Sequence, residues 1–158
     1  MDKTKKIFYE KTKKMPPNSN VKTILQSVVK PGVAVDLGCG AGSDTVALLK
    51  SGWKVVAIDK ENVEEMIVQQ LSEEERQRFH FICTRFNNMK LVKNDLVVAN
   101  NSIAFCNKAA FKDVWEKIME SIKKKRIFYW NTFRSARYMG TRKQKWCFFS
   151  KRTNCIFI

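Results

Sequence analysis

Val21, Ile24, Leu25 and Val28 recur at i, i+3, i+4 and i+7, the spacing of one face of an α-helix. Asn18 to Asn20 offer a cap before that helix, and Pro31-Gly32 stops it. The pattern then changes. Val33 to Leu37, Trp53 to Asp59, Phe79 to Cys83 and Asp95 to Asn100 are short, nearly continuous apolar runs, which predict buried strands. A fifth strand is expected near Ile127. Helical stretches separate them: Thr45 to Leu49 closing at Gly52, and Glu61 to Gln70. Next comes a capping-box spacing from Ser72 to Glu75, then Phe111, Val114, Trp115, Ile118 and Ile122 on one face after a cap at Asn107. Residues 1–18 are polar and lysine-rich and end at Pro16-Pro17. They read either as a frayed helix with a turn or as a lid carrying Phe8 and Tyr9.

Strands alternating with helices predict an α/β fold with a mostly parallel sheet covered on both faces. In such sheets ligands bind beyond the C-terminal ends of the strands. Polar residues gather at those ends: Asp36 in strand one, Asp59 in strand two, and Asn100, Asn101 and Ser102 after strand four. Strand one breaks into Gly38, Gly40 and Gly42 around Cys39 and Ala41. A glycine turn there lets the chain reverse sharply and lets a ligand lie against the backbone.

The turn suits two kinds of nucleotide cofactor. A dinucleotide site has G-x-G-x-x-G, but here the spacing is G-x-G-x-G, and Ser43 stands at the third dinucleotide position. An acid at the end of strand one would also sit near a pyrophosphate. It suits a ligand bearing positive charge and an amine. Asp59 is placed to bridge two ribose hydroxyls of either cofactor. A nicotinamide dehydrogenase is therefore the disfavoured alternative.

Composition narrows the classes. The chain has 158 residues, 44% of them hydrophobic and 28% charged, in keeping with one soluble domain. No run approaches the roughly 20 apolar residues of a membrane span, and the cytoplasm is the expected compartment. The cysteines at 39, 83, 106, 147 and 155 have no CxxC spacing, so reduced thiols are expected and no metal site. His80, between Phe79 and Phe81, reads as a strand residue.

The run from Val35 to Gly42, followed by Val56 to Asp59, resembles the class I, Rossmann-like, S-adenosylmethionine-dependent methyltransferases. Asn94 to Asn107, with Phe111 and Trp115 beyond, is similar to their tellurite-resistance-like, small-molecule branch. The resemblance spans roughly residues 8–125. It implies a three-layer Rossmann-like fold, S-adenosyl-L-methionine as cofactor and a small-molecule methyl acceptor. It further implies that Asp36 and the turn at Gly38, Cys39, Gly40 and Gly42 hold the methionine part, and Asp59 and Lys60 the ribose side. Phe86, Asn87 and Asn88 would flank adenine, with Asn88 accepting from its amine. Asn100 and Ser102 would face the sulfonium and the acceptor, and Tyr9 would help cover the pocket. No general base is assigned.

The net charge of +15 belongs mostly to the end of the chain. Residues 1–120 hold 19 Lys+Arg against 15 Asp+Glu, whereas residues 121–158 hold 11 Lys+Arg and no acid. A basic, aromatic-laced tail that binds RNA or DNA is one reading of residues 126–158. The preferred hypothesis is a frame-shift product, because composition changes abruptly after Lys123, Lys124 and Lys125, a run that slippage-prone A-rich codons encode. On that hypothesis residues 1–125 form the cofactor-binding domain, the sheet lacks its last strands and the edge of strand five stands open. The chain is then a fragment that keeps its cofactor turn but loses turnover. Sequencing the gene checks this: an open frame one base on is expected, and stop codons there contradict it.

Overall fold

Residues 3–27, 30–131 and 155–157 are described by a computed structural model. The central strand is β1 (Val33–Leu37), and four of its five residues are buried. β2 (Lys54–Asp59) pairs parallel on one side of it, with Asp36 opposite Ala57. β4 (Asn94–Asn100) pairs parallel on the other side, with Asp36 opposite Val98. β3 (Phe79–Cys83) extends the sheet beyond β2, and β5 (Ile122–Asn131) extends it beyond β4, both parallel. A short β6 (Cys155–Phe157) runs antiparallel to β5, completing the order β3-β2-β1-β4-β5-β6. The order reverses between β1 and β4, where a parallel sheet opens a crevice for ligands.

Alternation along the inner strands builds a three-layer core. Ala34, Leu96 and Val98 face one side with Val21, Ile24, Leu48, Leu49 and Ile67. These come from α2 (Ser19–Ser27), α3 (Ser43–Lys50) and α4 (Glu64–Val68). Val35, Leu37, Val97 and Ala99 face the other side with Val114 and Ile118 of α6 (Phe111–Ser121). The expected α/β architecture is therefore the one observed.

Boundaries moved where side chains compete for the backbone. The helix expected from Glu61 shrinks to α4, because Asp59 Oδ1 accepts from Glu61 N–H at 3.0 Å and Asn62 Oδ1 from Glu64 N–H at 3.3 Å. α5 (Glu73–Arg76) does start with the full capping box of Ser72 and Glu75. α6 stops at Ser121, whose hydroxyl donates to Ile118 C=O at 2.7 Å and accepts from Asn94 Nδ2 at 2.9 Å. Ile122 thus enters β5 rather than the helix. Asn107 Oδ1 accepts from Ala109 N–H, one turn before α6 begins.

The expected open edge of strand five is corrected over Ile127 to Tyr129, which β6 covers. Val28 and residues 132–154 lie outside the described residues, and with them most of the tail that the basic-tail and frame-shift readings concern.

Gly42 shows why the turn into α3 requires glycine. Its φ is +88°, and a Cβ there would stand 2.7 Å from Ile67 Cγ1. Gly42→Ala is expected to destabilise the protein by about 2 kcal/mol through left-handed strain and the clash. Urea denaturation checks this, and an unchanged midpoint would contradict it.

Candidate functional site

Three carboxylates converge at the crevice, each delivered by a different element. Asp36 comes from β1 and is 2% exposed. Its Oδ2 accepts from Thr45 Oγ1 on α3 at 2.6 Å. Asp44 comes from the first turn of α3. Its Oδ1 accepts from the Asn18 N–H and its Oδ2 from Asn100 Nδ2, both at 2.7 Å. Asp59 ends β2, and its Oδ2 accepts from the Gly40 N–H at 3.0 Å. The glycine turn is thereby stitched to the neighbouring strand, with the Gly38 N–H also donating to Ile58 C=O at 2.7 Å. Gly38 has φ +72°, and a Cβ on it would collide with Ser102. Only glycine lets the end of β4 close over the end of β1 here.

These groups line a cavity of about 760 Å³, within the range of small-ligand and cofactor sites. The segment before α2 forms one wall. α1 (Lys3–Thr12) buries Tyr9 against the turn. Ser43 Oγ donates to Thr12 C=O at 3.1 Å, and Lys5 pairs with Glu61 at 2.6 Å. Of the two readings of the N-terminal arm, the formed and packed one is observed. Phe8, Met15 and Phe105 also line the cavity while remaining 61%, 59% and 83% exposed, so they form its apolar rim.

Electrostatics follow from burial without an ion-pair partner, although Lys60 and Arg85 also line the cavity. Among the described residues no lysine or arginine pairs with Asp36, Asp44 or Asp59. Loss of water, reinforced by the nearby charge of Asp44, pushes the Asp36 carboxyl up to about 8. Burial also raises Asp44, against the opposing pull of its two donors, Asn100 and Asn18. Those donors favour its anion, so Asp36 holds the proton of this pair at neutral pH. Burial, then the charges of Asp59 and Glu61, push the Tyr9 phenol up to about 12. Burial raises the Cys39 thiol well above its ordinary value. Two polar atoms in the cavity wall, Asn100 Oδ1 and Ser102 Oγ, are buried with no hydrogen-bond partner.

Tyr9, Asp36, Gly38, Cys39, Gly40, Asp59, Lys60, Phe86, Asn87, Asn100 and Ser102 all line this cavity. Gly42 and Asn88 are not among its lining residues. Gly42 packs on Ile67 instead, and Asn88 is exposed at the end of a single 3₁₀ turn, Phe86–Asn88. Asp44 was missed. An acid in a first helical turn is ordinary helix-dipole chemistry, and nothing in the sequence announces its bond to Asn100. His80 is exposed on β3.

The raised Asp36 carboxyl carries a sign for stability. Between about pH 4 and 8 the folded protein keeps a proton on Asp36 that the unfolded chain releases, so this contribution is full below about pH 4 and is lost as pH rises from there through about 8. Asp36→Asn should flatten that decline. Urea midpoints at about pH 5 and pH 8.5 test it, and an equal decline in both proteins would contradict it.

Comparison with known proteins places this geometry. The family described as Tellurite resistance protein TehB matches residues 1–128. No curated protein sequence matches the chain. Among solved structures, TehB from Haemophilus influenzae is 18% identical with a TM-score of 0.65, covering 78% of this chain and 43% of its own. The glycopeptide N-methyltransferase MtfA complexed with S-adenosyl-L-methionine is 18% identical with a TM-score of 0.63, covering 74% and 54%. A 1,6-didemethyltoxoflavin-N1-methyltransferase from Burkholderia thailandensis, with S-adenosylhomocysteine bound, is 20% identical with a TM-score of 0.62, covering 71% and 50%. The chain spans about half the length of the solved structures it matches. Among the described residues, no helix is long and apolar enough to cross a membrane.

Proposed function

Because the chain belongs to the tellurite resistance protein TehB family, within the Rossmann-like methyltransferase fold, we propose that it is an S-adenosylmethionine-dependent methyltransferase for a small-molecule acceptor. The observation that carries this reading is the set of carboxylates around one cavity at the β1/β4 reversal that have no ion-pair partner among the described residues. A site with three acids calls for a ligand rich in donors and positive charge. S-adenosylmethionine has an ammonium, a sulfonium, ribose hydroxyls and an adenine amine. The residues present fit it.

In this reading residues 1–125 are the working unit. Asp36, with the backbone at Gly38, Cys39 and Gly40, holds the methionine end. Asp59 keeps lone pairs for ribose hydroxyls beyond its bonds to Gly40 and Glu61, with Lys60 at its side. Phe86 and Asn87 flank adenine, and because Asn88 stands outside the cavity, the adenine contact passes to its neighbours. Tyr9 closes the arm over the ribose side. When bound, the cofactor supplies an activated methyl, so the protein's part is alignment and exclusion of water rather than proton transfer. The substrates named for the similar solved structures, a glycopeptide and 1,6-didemethyltoxoflavin, accord with an acceptor outside the nucleic acids.

Calorimetric titration with S-adenosylhomocysteine tests the reading. Saturable binding is expected, and Asp59→Ala should weaken it at least about tenfold through the lost ribose bonds. No binding heat from the intact chain would overturn the proposal.

A further inference from the structure

The cavity is charged differently at its floor and at its rim. The carboxylates lie within: Asp36 is 2% and Asp59 6% exposed, and Asp44 is half-buried. Among the described residues, those that both line the cavity and are exposed include no acid. They include two cations, Lys60 and Arg85, and three large apolar side chains, Phe8, Met15 and Phe105. Apolar side chains exposed singly are ordinary, but several around one opening mark a surface that something else covers. α1 continues the same chemistry outward. Ile7 is exposed, and Lys3, Lys6 and Lys11 border one surface concavity with it. Lys11 falls four residues after Ile7 and three after Phe8, so it stands between them on the helix. Glu10 is the one acid in α1.

We propose that this rim is a docking surface for an anionic lipid bilayer, on which the mouth of the cavity rests. Phe8, Met15 and Phe105 enter the interfacial zone, while Lys11, Lys60 and Arg85 meet the headgroups. The charge pattern selects the partner. Cations that flank exposed apolar groups suit a surface that is negative outside and hydrocarbon beneath. Ile7 and Met15 have no flat face on which a base stacks, so hydrocarbon fits this rim better than RNA does. Docking of this kind needs no spanning helix, and none is present among the described residues. It is independent of which ligand the cavity binds. Docked in this way, the cavity opens onto the bilayer rather than onto bulk water.

Residues 126–158 are basic and hold no acid, and they draw the chain toward any anionic surface, so orientation is read as well as binding. The full chain is co-sedimented with vesicles of phosphatidylcholine alone and of phosphatidylcholine and phosphatidylglycerol in equal parts. Binding to the anionic vesicles is expected to be at least about tenfold tighter and to weaken with salt. Phe105→Trp and Val92→Trp then report depth in anionic vesicles with brominated acyl chains, each measured against the wild type. Val92 is also exposed, but it precedes β4 and so lies at the opposite end of the sheet from Phe105. The tryptophan added at 105 is expected to be quenched, and the one added at 92 is not. Lys6→Glu combined with Lys11→Glu should weaken anionic-vesicle binding at least about threefold. Circular dichroism checks the fold of each variant, and if the double variant does not fold, the quenching contrast decides. Absent binding, equal binding to both kinds of vesicle, equal quenching at 92 and 105, or unchanged binding in a folded double variant would overturn the proposal. Polyuridylate that shifts the emission of the tryptophan at 105, with no quenching there by brominated lipid, would overturn it too and assign the rim to RNA.

Discussion

Burying a carboxyl at the end of the central strand costs several kcal/mol unless water, a donor or a charge compensates, and the elements around β1 are arranged about that cost. Asp36 has one donor, Thr45, on the first turn of α3. Its neighbour Asp44 is bound by Asn18 from the arm and by Asn100 from β4. Asp59 takes the Gly40 N–H from the turn and the Glu61 N–H from the segment after β2. Each acid is thus a joint between segments that are distant in sequence. Among the described residues, none of these acids has a lysine or arginine ion-pair partner.

The same arrangement explains why the arm is ordered. α1 alone is a polar, lysine-rich helix whose one buried residue is Tyr9. Its position depends on bonds to residues of the cavity, Ser43 to Thr12 and the Asn18 N–H to Asp44, and Lys5 pairs with Glu61 outside it. Because those partners are the groups a ligand would touch, the arm's position and the cavity's charge are coupled.

Much of this was legible in the sequence. The runs from Val33, Trp53, Phe79 and Asp95 are strands within one residue of the expected limits; the interior ones carry an apolar signal on both faces, whereas β3, expected to be buried, lies at the sheet edge and is only half-buried. Eleven predicted site residues reach the cavity, since glycine turns and strand-end acids have few structural uses. The misses have local causes. Gly42 shares the glycine pattern but serves the packing of Ile67, and Asn88 sits one residue too far along a 3₁₀ turn. Asp44 escaped because its importance lies in two long-range bonds, to Asn18 and Asn100, which no local pattern encodes.

The central claim is that these buried acids are held for a cationic ligand. Asp36, protonated near neutrality with its carboxyl pushed up to about 8, should ionise when an ammonium or sulfonium arrives. The direct measurement is calorimetric titration of S-adenosylmethionine at about pH 6.5 in two buffers of different ionisation heat. The account predicts release of about one proton per ligand bound, abolished in Asp36→Asn. Binding whose heat is the same in both buffers, or proton release that persists in Asp36→Asn, would contradict it.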